Sequence, residues 1–237
     1  MKILVSICFM ILCMQSIVCA QDYRKIFGRN YANAEKLLKE HEDAFQFAAM
    51  SSGIPSIHLR AIVFPELIRY SSVFDFMEIT SLKVLYISNG QDYADFSVGY
   101  LQMKPSFAEK LERDALKYLS RDQLKSIGIS LPLEGTAKEQ REERVDRLTE
   151  IKTQLQYLAL FYKLCERKFT LSSMSEEEKI AFISTCYNAG YDHSARKIHS
   201  LQTQAHFHTG RFRASDKFNY SSISTYWLRQ QFQLASR

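Results

Sequence analysis

Apolar residues recur every three or four positions over long stretches of this chain, and that spacing commits it to packed helices. Val145, Leu148, Ile151, Leu155, Leu158, Tyr162 and Cys165 trace one face of a helix over 137–168, with Glu143 one turn from Arg147. Ala34, Leu37, Leu38, Ala44, Phe45 and Ala48 trace another over 31–52, with Asn30 placed to cap it and Gly53, Ile54 and Pro55 placed to stop it. Ser56 is placed to cap a helix over 57–71. Inside that helix Pro65 lacks an N–H and crowds the carbonyl of Ala61, so a kink or restart is expected there. Ser106 with Glu109, and Ser175 with Glu178, have the spacing of capping boxes, opening helices over 107–119 and 176–188; Gly190 can close the second. Residues 120–136 read as a short helix plus loop, and a last helix is expected over 222–235. The stretch 73–88 reads equally as helix or strand, Asn89-Gly90 is a turn signal, and 93–103 fits a short extended or hairpin piece. The expected fold is mainly α, one domain over 21–237, with a small β or irregular segment near 90–103.

The first twenty residues have a different character. Lys2 is followed by the apolar run ILVSICFMILCMQSIV and then by Cys19 and Ala20. A basic start, a short apolar run and small residues before a cut describe a signal peptide, with cleavage expected after Ala20. The run is short for a membrane span and no second one follows, so the expected product is exported, periplasmic or extracellular, with no stable span. Losing Lys2 takes the formal charge from +5 to +4, a mild excess that suits an anionic envelope. No basic stripe interleaves with aromatics, which argues against nucleic acid. Of the five cysteines, Cys8, Cys13 and Cys19 leave with the signal. Cys165 and Cys186 remain, as a disulfide or as two buried thiols; both readings stand at this level.

One acid stands out. Glu66 lies among Ile62, Val63, Phe64, Leu67 and Ile68. Burial penalises a charged carboxyl, so such an acid is biased to hold its proton, as a general acid must. Downstream come Gly99, Tyr100, Leu101, Gln102, Met103, Lys104 and Pro105, and far downstream Tyr187, Asn188, Ala189 and Gly190. In that order the three pieces resemble the lytic transglycosylase and goose-type lysozyme families, over roughly 56–110 and 180–192.

The resemblance implies a lysozyme-like fold and cleavage of peptidoglycan between N-acetylmuramic acid and N-acetylglucosamine. It implies Glu66 as general acid and then base, with the substrate's own N-acetyl group stabilising the sugar cation, so that one carboxylate suffices. It also implies sugar contacts from Ser97, Gly99, Tyr100, Gln102, Met103, Tyr187 and Asn188, with Tyr187 near the Glu66 carboxyl. Glycine would let the backbone approach a sugar, and Gln102 offers both a donor and an acceptor. Glycan strands are the expected partner, with an envelope assembly as a further one; no cofactor and no metal are expected. Hydrolysis in place of transglycosylation would call for a second carboxylate. Asp75, Glu78, Asp92 and Asp95 are the candidates, with Asp92 and Asp95 the better pair beside the Gly-x-x-Gln stretch, although both also read as turn and cap acids.

The chain departs from the family pattern in three places. Leu67 stands where Ser usually follows the acid, the gap from Glu66 to Gly99 is longer, and the usual Gly-Leu-Met-Gln is Gly-Tyr-Leu-Gln. The extra residues near 73–91 leave two readings open: a glycosidase with a reshaped cleft, or a binding module that keeps the fold and does not cleave. His193, His199, His206 and His208 lack accompanying acid or Cys ligands at metal spacing and read as solvated or packed side chains.

Overall fold

The computed structural model describes residues 21–208 and 217–236. The expected signal segment lies outside the described residues. The helices are α1 (Tyr23–Phe27), α2 (Arg29–Glu40), α3 (Glu42–Ser52), α4 (Ser56–Arg69), α5 (Ser72–Ser81), α6 (Ile87–Asn89), α7 (Pro105–Tyr118), α8 (Arg121–Ile127), α9 (Ala137–Thr149), α10 (Ile151–Lys168), α11 (Glu176–Ala189), α12 (Ala195–Gln202) and α13 (Tyr220–Ala235). A π-helical turn, Leu82–Tyr86, joins α5 to α6. The fold is mainly α, as the periodicity predicts.

Helix α4 is the centre of the molecule. Ten consecutive-face and cross-face side chains, from His58 to Ile68 and including Pro65 and Glu66, are buried, and α2, α3, α11 and α13 pack around it. A helix apolar on every side has to be enclosed in this way. It runs from Ser56 to Arg69 without the restart expected at Pro65. In the turn that Pro65 interrupts, Tyr220 Oη donates to the Ile62 carbonyl at 3.0 Å. Ser56 is the first helical residue, behind Pro55, and its hydroxyl accepts from Arg60 Nε rather than capping.

Two helices expected to be continuous are broken. At His41 the backbone leaves helical geometry between α2 and α3, and the imidazole packs on Tyr100 with ring centroids 4.6 Å apart. Asn30 lies inside α2, with Gly28 at the cap position. At Glu150 the chain is extended between α9 and α10. That break leaves the Leu148 carbonyl beside Gly99, where an added Cβ would lie 2.5 Å from it. The end of α9 therefore serves as a seat for the 98–103 turn.

Residues 90–103 are irregular, with a single antiparallel bridge between Val98 and Met103. The regular two-stranded ladder lies elsewhere, where β1 (Phe207–His208) pairs with β2 (Lys217–Phe218). Helix α7 starts at Pro105, and the expected Ser106–Glu109 box is replaced by a longer-range cap. Asp95 accepts from Ser106 N at 2.9 Å and Ser106 Oγ at 2.7 Å. Glu109 turns instead to Tyr86 Oη at 2.6 Å. The Ser175–Glu178 box forms and Gly190 ends α11 with φ +97°.

The apolar side chains make one contiguous core. Within it lies a charged cluster. Arg144 makes two bonds to Glu112, at 2.9 and 2.6 Å, and Tyr157 Oη donates to the same carboxylate at 2.6 Å. It ties α7, α9 and α10 together away from the Glu66 region. Cys165 and Cys186 are free and buried, and burial followed by the neighbouring Cys186 pushes the Cys165 thiol up. Burial thus disfavours the Cys165 thiolate, the form a nucleophile needs.

Candidate active site

Glu66 sits one turn from the end of α4 and is only 4% exposed. Burial pushes its carboxyl above the ordinary value, while Arg69 and the Tyr220 phenol pull the other way without offsetting it. Arg69, three residues on, brings Nη2 to 2.7 Å from Glu66 Oε2. The contact is close but poorly aligned, because neither Glu66 Oε2 nor Arg69 Nε has a hydrogen-bond partner among the described residues. Two phenols flank the acid. Tyr187 and Tyr220 are both held well above the ordinary phenol value, by burial first and then by the Glu66 charge, so both remain hydrogen-bond donors. Their rings lie 6.4 Å apart.

The 98–103 turn meets this group. Tyr187 Oη donates to the Leu101 carbonyl at 2.7 Å, which locks α11 to the turn. Gln154 of α10 holds the turn from below, donating to Val98 O at 2.9 Å and accepting from Leu101 N at 3.2 Å. Gln102 takes a left-handed conformation, φ +51°, and its amide donates to Gly99 O at 2.9 Å.

A cleft of about 870 Å³ opens beside these residues, lined in part by Arg69, Ser97, Gln102, Lys104, Glu78 and Asp95. Leu67 and Ile68 also face it, whereas Glu66 lies behind Arg69 and not on the wall. The three sequence segments meet: the acid, the Gly-x-x-Gln turn and the tyrosine of α11 form one connected buried group, of which Gln102 reaches the cleft wall.

Several expected sugar contacts stand elsewhere. A Cβ at Gly99 would lie 2.3 Å from Gln154 Nε2, so the close approach that calls for glycine is internal to the protein. Gly99 N donates to Asp75 Oδ1 at 2.6 Å, which makes Asp75 a buried anchor of the turn. Tyr100 is packed between His41 and Tyr70, with the Tyr70 centroid 4.8 Å away. Met103 is buried and paired with Val98. Asn188 lines a separate hollow of about 230 Å³ together with Tyr220. Among the candidate second carboxylates, Asp92 is exposed on the turn after Gly90 and away from the cleft wall. Asp95 is on the wall, but both its oxygens are engaged by Ser106. Ser97 and Gln102 remain as cleft residues.

Three participants carried weaker signals in the sequence. Arg69 was visible as the i+3 neighbour of Glu66. Gln154 and Tyr220 reach the site from distant helices, and nothing local marks them. Among the described residues no group of His, Cys, Asp or Glu is arranged to hold a metal ion, and no helix is long and apolar enough to cross a membrane. No family profile, curated protein or solved structure matches the chain.

Proposed function

We propose that the protein is an exported glycosidase of lysozyme-like type that cleaves peptidoglycan at the linkage from N-acetylmuramic acid to N-acetylglucosamine, as a lytic transglycosylase with Glu66 as its acid and base. One observation carries the reading. Glu66 is a buried carboxyl biased toward its protonated form, set with the Tyr187 and Tyr220 phenols beside the 99–102 turn and behind a cleft that Arg69 and Gln102 line. In the proposed reaction Glu66 gives its proton to the glycosidic oxygen as the C–O bond breaks. The substrate's N-acetyl oxygen shares the charge left on the sugar carbon. The Glu66 carboxylate then takes the proton of a hydroxyl on the same sugar, whose oxygen closes on that carbon to give an anhydro end. Asp95, engaged by Ser106, is poorly suited to orient a water. The two neutral phenols, each donating to a backbone carbonyl, enclose the carboxyl without adding charge.

A second reading has an observation of its own. Glu66 is closed off by Arg69, as it would be in a module that holds glycan strands or an envelope partner without cutting them. Purified protein and Glu66→Gln incubated with sacculi separate the two. Soluble fragments from the wild type and none from the variant support the enzyme. Sedimentation of both proteins with sacculi, without fragments, supports the binding module.

A further inference from the structure

We propose that Arg69 is a cover over Glu66 that a carboxylate-bearing saccharide opens. The inference rests on the reading of Glu66 as the acid, and adds to it a specificity element that the sequence motifs do not contain.

The argument starts with position. Arg69 is the last residue of α4 and lines the cleft with its side chain 31% exposed, while the Glu66 side chain behind it is 6% exposed. Any glycosidic oxygen arriving from the cleft meets the guanidinium before the acid. The other cations of the wall are already answered at the surface. Lys36 lies 3.3 Å from Glu40, and Lys104 lies 3.7 Å from Asp95. Arg69 alone among these three pairs with a buried acid.

The resting pair is also incomplete. Nη2 approaches Oε2 closely, yet Arg69 Nε and Glu66 Oε2 are both buried without a hydrogen-bond partner. Arginine favours parallel two-point pairing with a carboxylate, and the i+3 geometry within one helix does not supply it. A carboxylate entering the cleft can. The guanidinium lies over the Phe207 ring, with Cζ 5.4 Å from the centroid, and this stack steadies its closed position. Phe207 is paired in β1 next to His208, itself on the cleft wall, so the steadying ring belongs to the same cleft.

Opening has a chemical consequence. With Arg69 drawn to the ligand, the chief influence favouring the ionised acid is gone, and burial remains against only the smaller pull of the Tyr220 phenol. Glu66, already biased toward its protonated form, is then pushed further that way when an acid-bearing sugar is in place. Arg69 in this role is a positioning and specificity residue; the proton donor is still Glu66.

The test uses full-length mature protein with 13C-labelled glutamate, the Glu66 carboxyl signal being the one missing in Glu66→Gln. N-acetylmuramic acid should raise the pH at which that signal titrates, and N-acetylglucosamine or acetate at equal concentration should not. In Arg69→Met the signal should titrate high without ligand, and acid sugar should not move it. No response of the wild type to N-acetylmuramic acid, or an equal response to acetate, overturns the proposal. The NMR outcome does not depend on turnover, so a protein that shows the ligand response but releases no fragments would retain the cover and lose the glycosidase reading. If it does cleave, the wild type should prefer wall glycan stripped of its stem peptides, whose muramic carboxyls are free, over neutral N-acetylglucosamine oligomers, and Arg69→Met should lose at least about tenfold of that preference. A preference unchanged in Arg69→Met overturns the cover.

Discussion

Replacing Gly99 with alanine tests whether this glycine serves the protein's own packing. Its φ of +72° is unfavourable for any residue with a Cβ, costing about 1 kcal/mol. The new Cβ would lie 2.3 Å from Gln154 Nε2 and 2.5 Å from the Leu148 carbonyl. A glutamine can rotate away, but only by giving up its bonds to Val98 O and Leu101 N, worth about 1 kcal/mol each. The Leu148 carbonyl is backbone and cannot rotate away. Together these effects should destabilise Gly99→Ala by about 3 kcal/mol, lowering Tm by roughly 6–12 °C for a chain of this size. Gly53 supplies the control. Its φ is +68° and nothing lies within 4 Å of an added Cβ, so Gly53→Ala should lose only about 1 kcal/mol. Urea unfolding of both variants, followed by circular dichroism, compares the two. If Gly99→Ala is no less stable than Gly53→Ala, the 98–103 turn does not sit on Gln154 and Leu148 as described.

Three further outcomes follow from the same geometry. Glu112→Ala leaves the buried Arg144 with only the partly buried Glu109 and Tyr86, and should cost about 3–5 kcal/mol in urea unfolding; a loss below about 1 kcal/mol would mean that the cluster is not desolvated. Asp95→Ala removes the cap from α7 and should cost about 1 kcal/mol, while an unchanged midpoint would show that Ser106 has no need of it. The Glu66 carboxyl is raised in the folded state, so above its ordinary value of 4.5 the unfolded chain gives up this proton first and the native state is penalised as pH rises. Stability should therefore fall less in Glu66→Gln than in the wild type as pH rises from about 4.5 towards neutrality, and parallel profiles for the two proteins would show that burial does not govern this acid.

Much of the helical plan was legible because the signals were local. The Ser175–Glu178 box spans a single turn and the Gly190 stop sits directly at the helix end, and both form. The breaks at His41 and Glu150 were hidden because they answer distant partners, Tyr100 in one case and the Gly99 turn in the other. The 73–88 stretch was ambiguous because Phe76, Met77 and Val84 remain exposed, so apolar residues on both faces erase the helical period. Around the candidate site, the burial of Glu66 could be read from its five apolar neighbours. The use of Gly99 could not, since glycine marks a close approach without saying to what. Asp95 shows the same limit: its spacing suited a catalytic acid, and its partner Ser106 lies eleven residues away.

The most direct measurement is mass spectrometry of the soluble products released from purified sacculi by the purified protein and by Glu66→Gln. Anhydro-muropeptides from the wild type, absent with the variant, are the predicted result for a transglycosylase with Glu66 as acid and base. Reducing-end muropeptides would contradict the transglycosylase assignment, and equal products from both proteins, or none from the wild type across pH, would contradict the role of Glu66 itself.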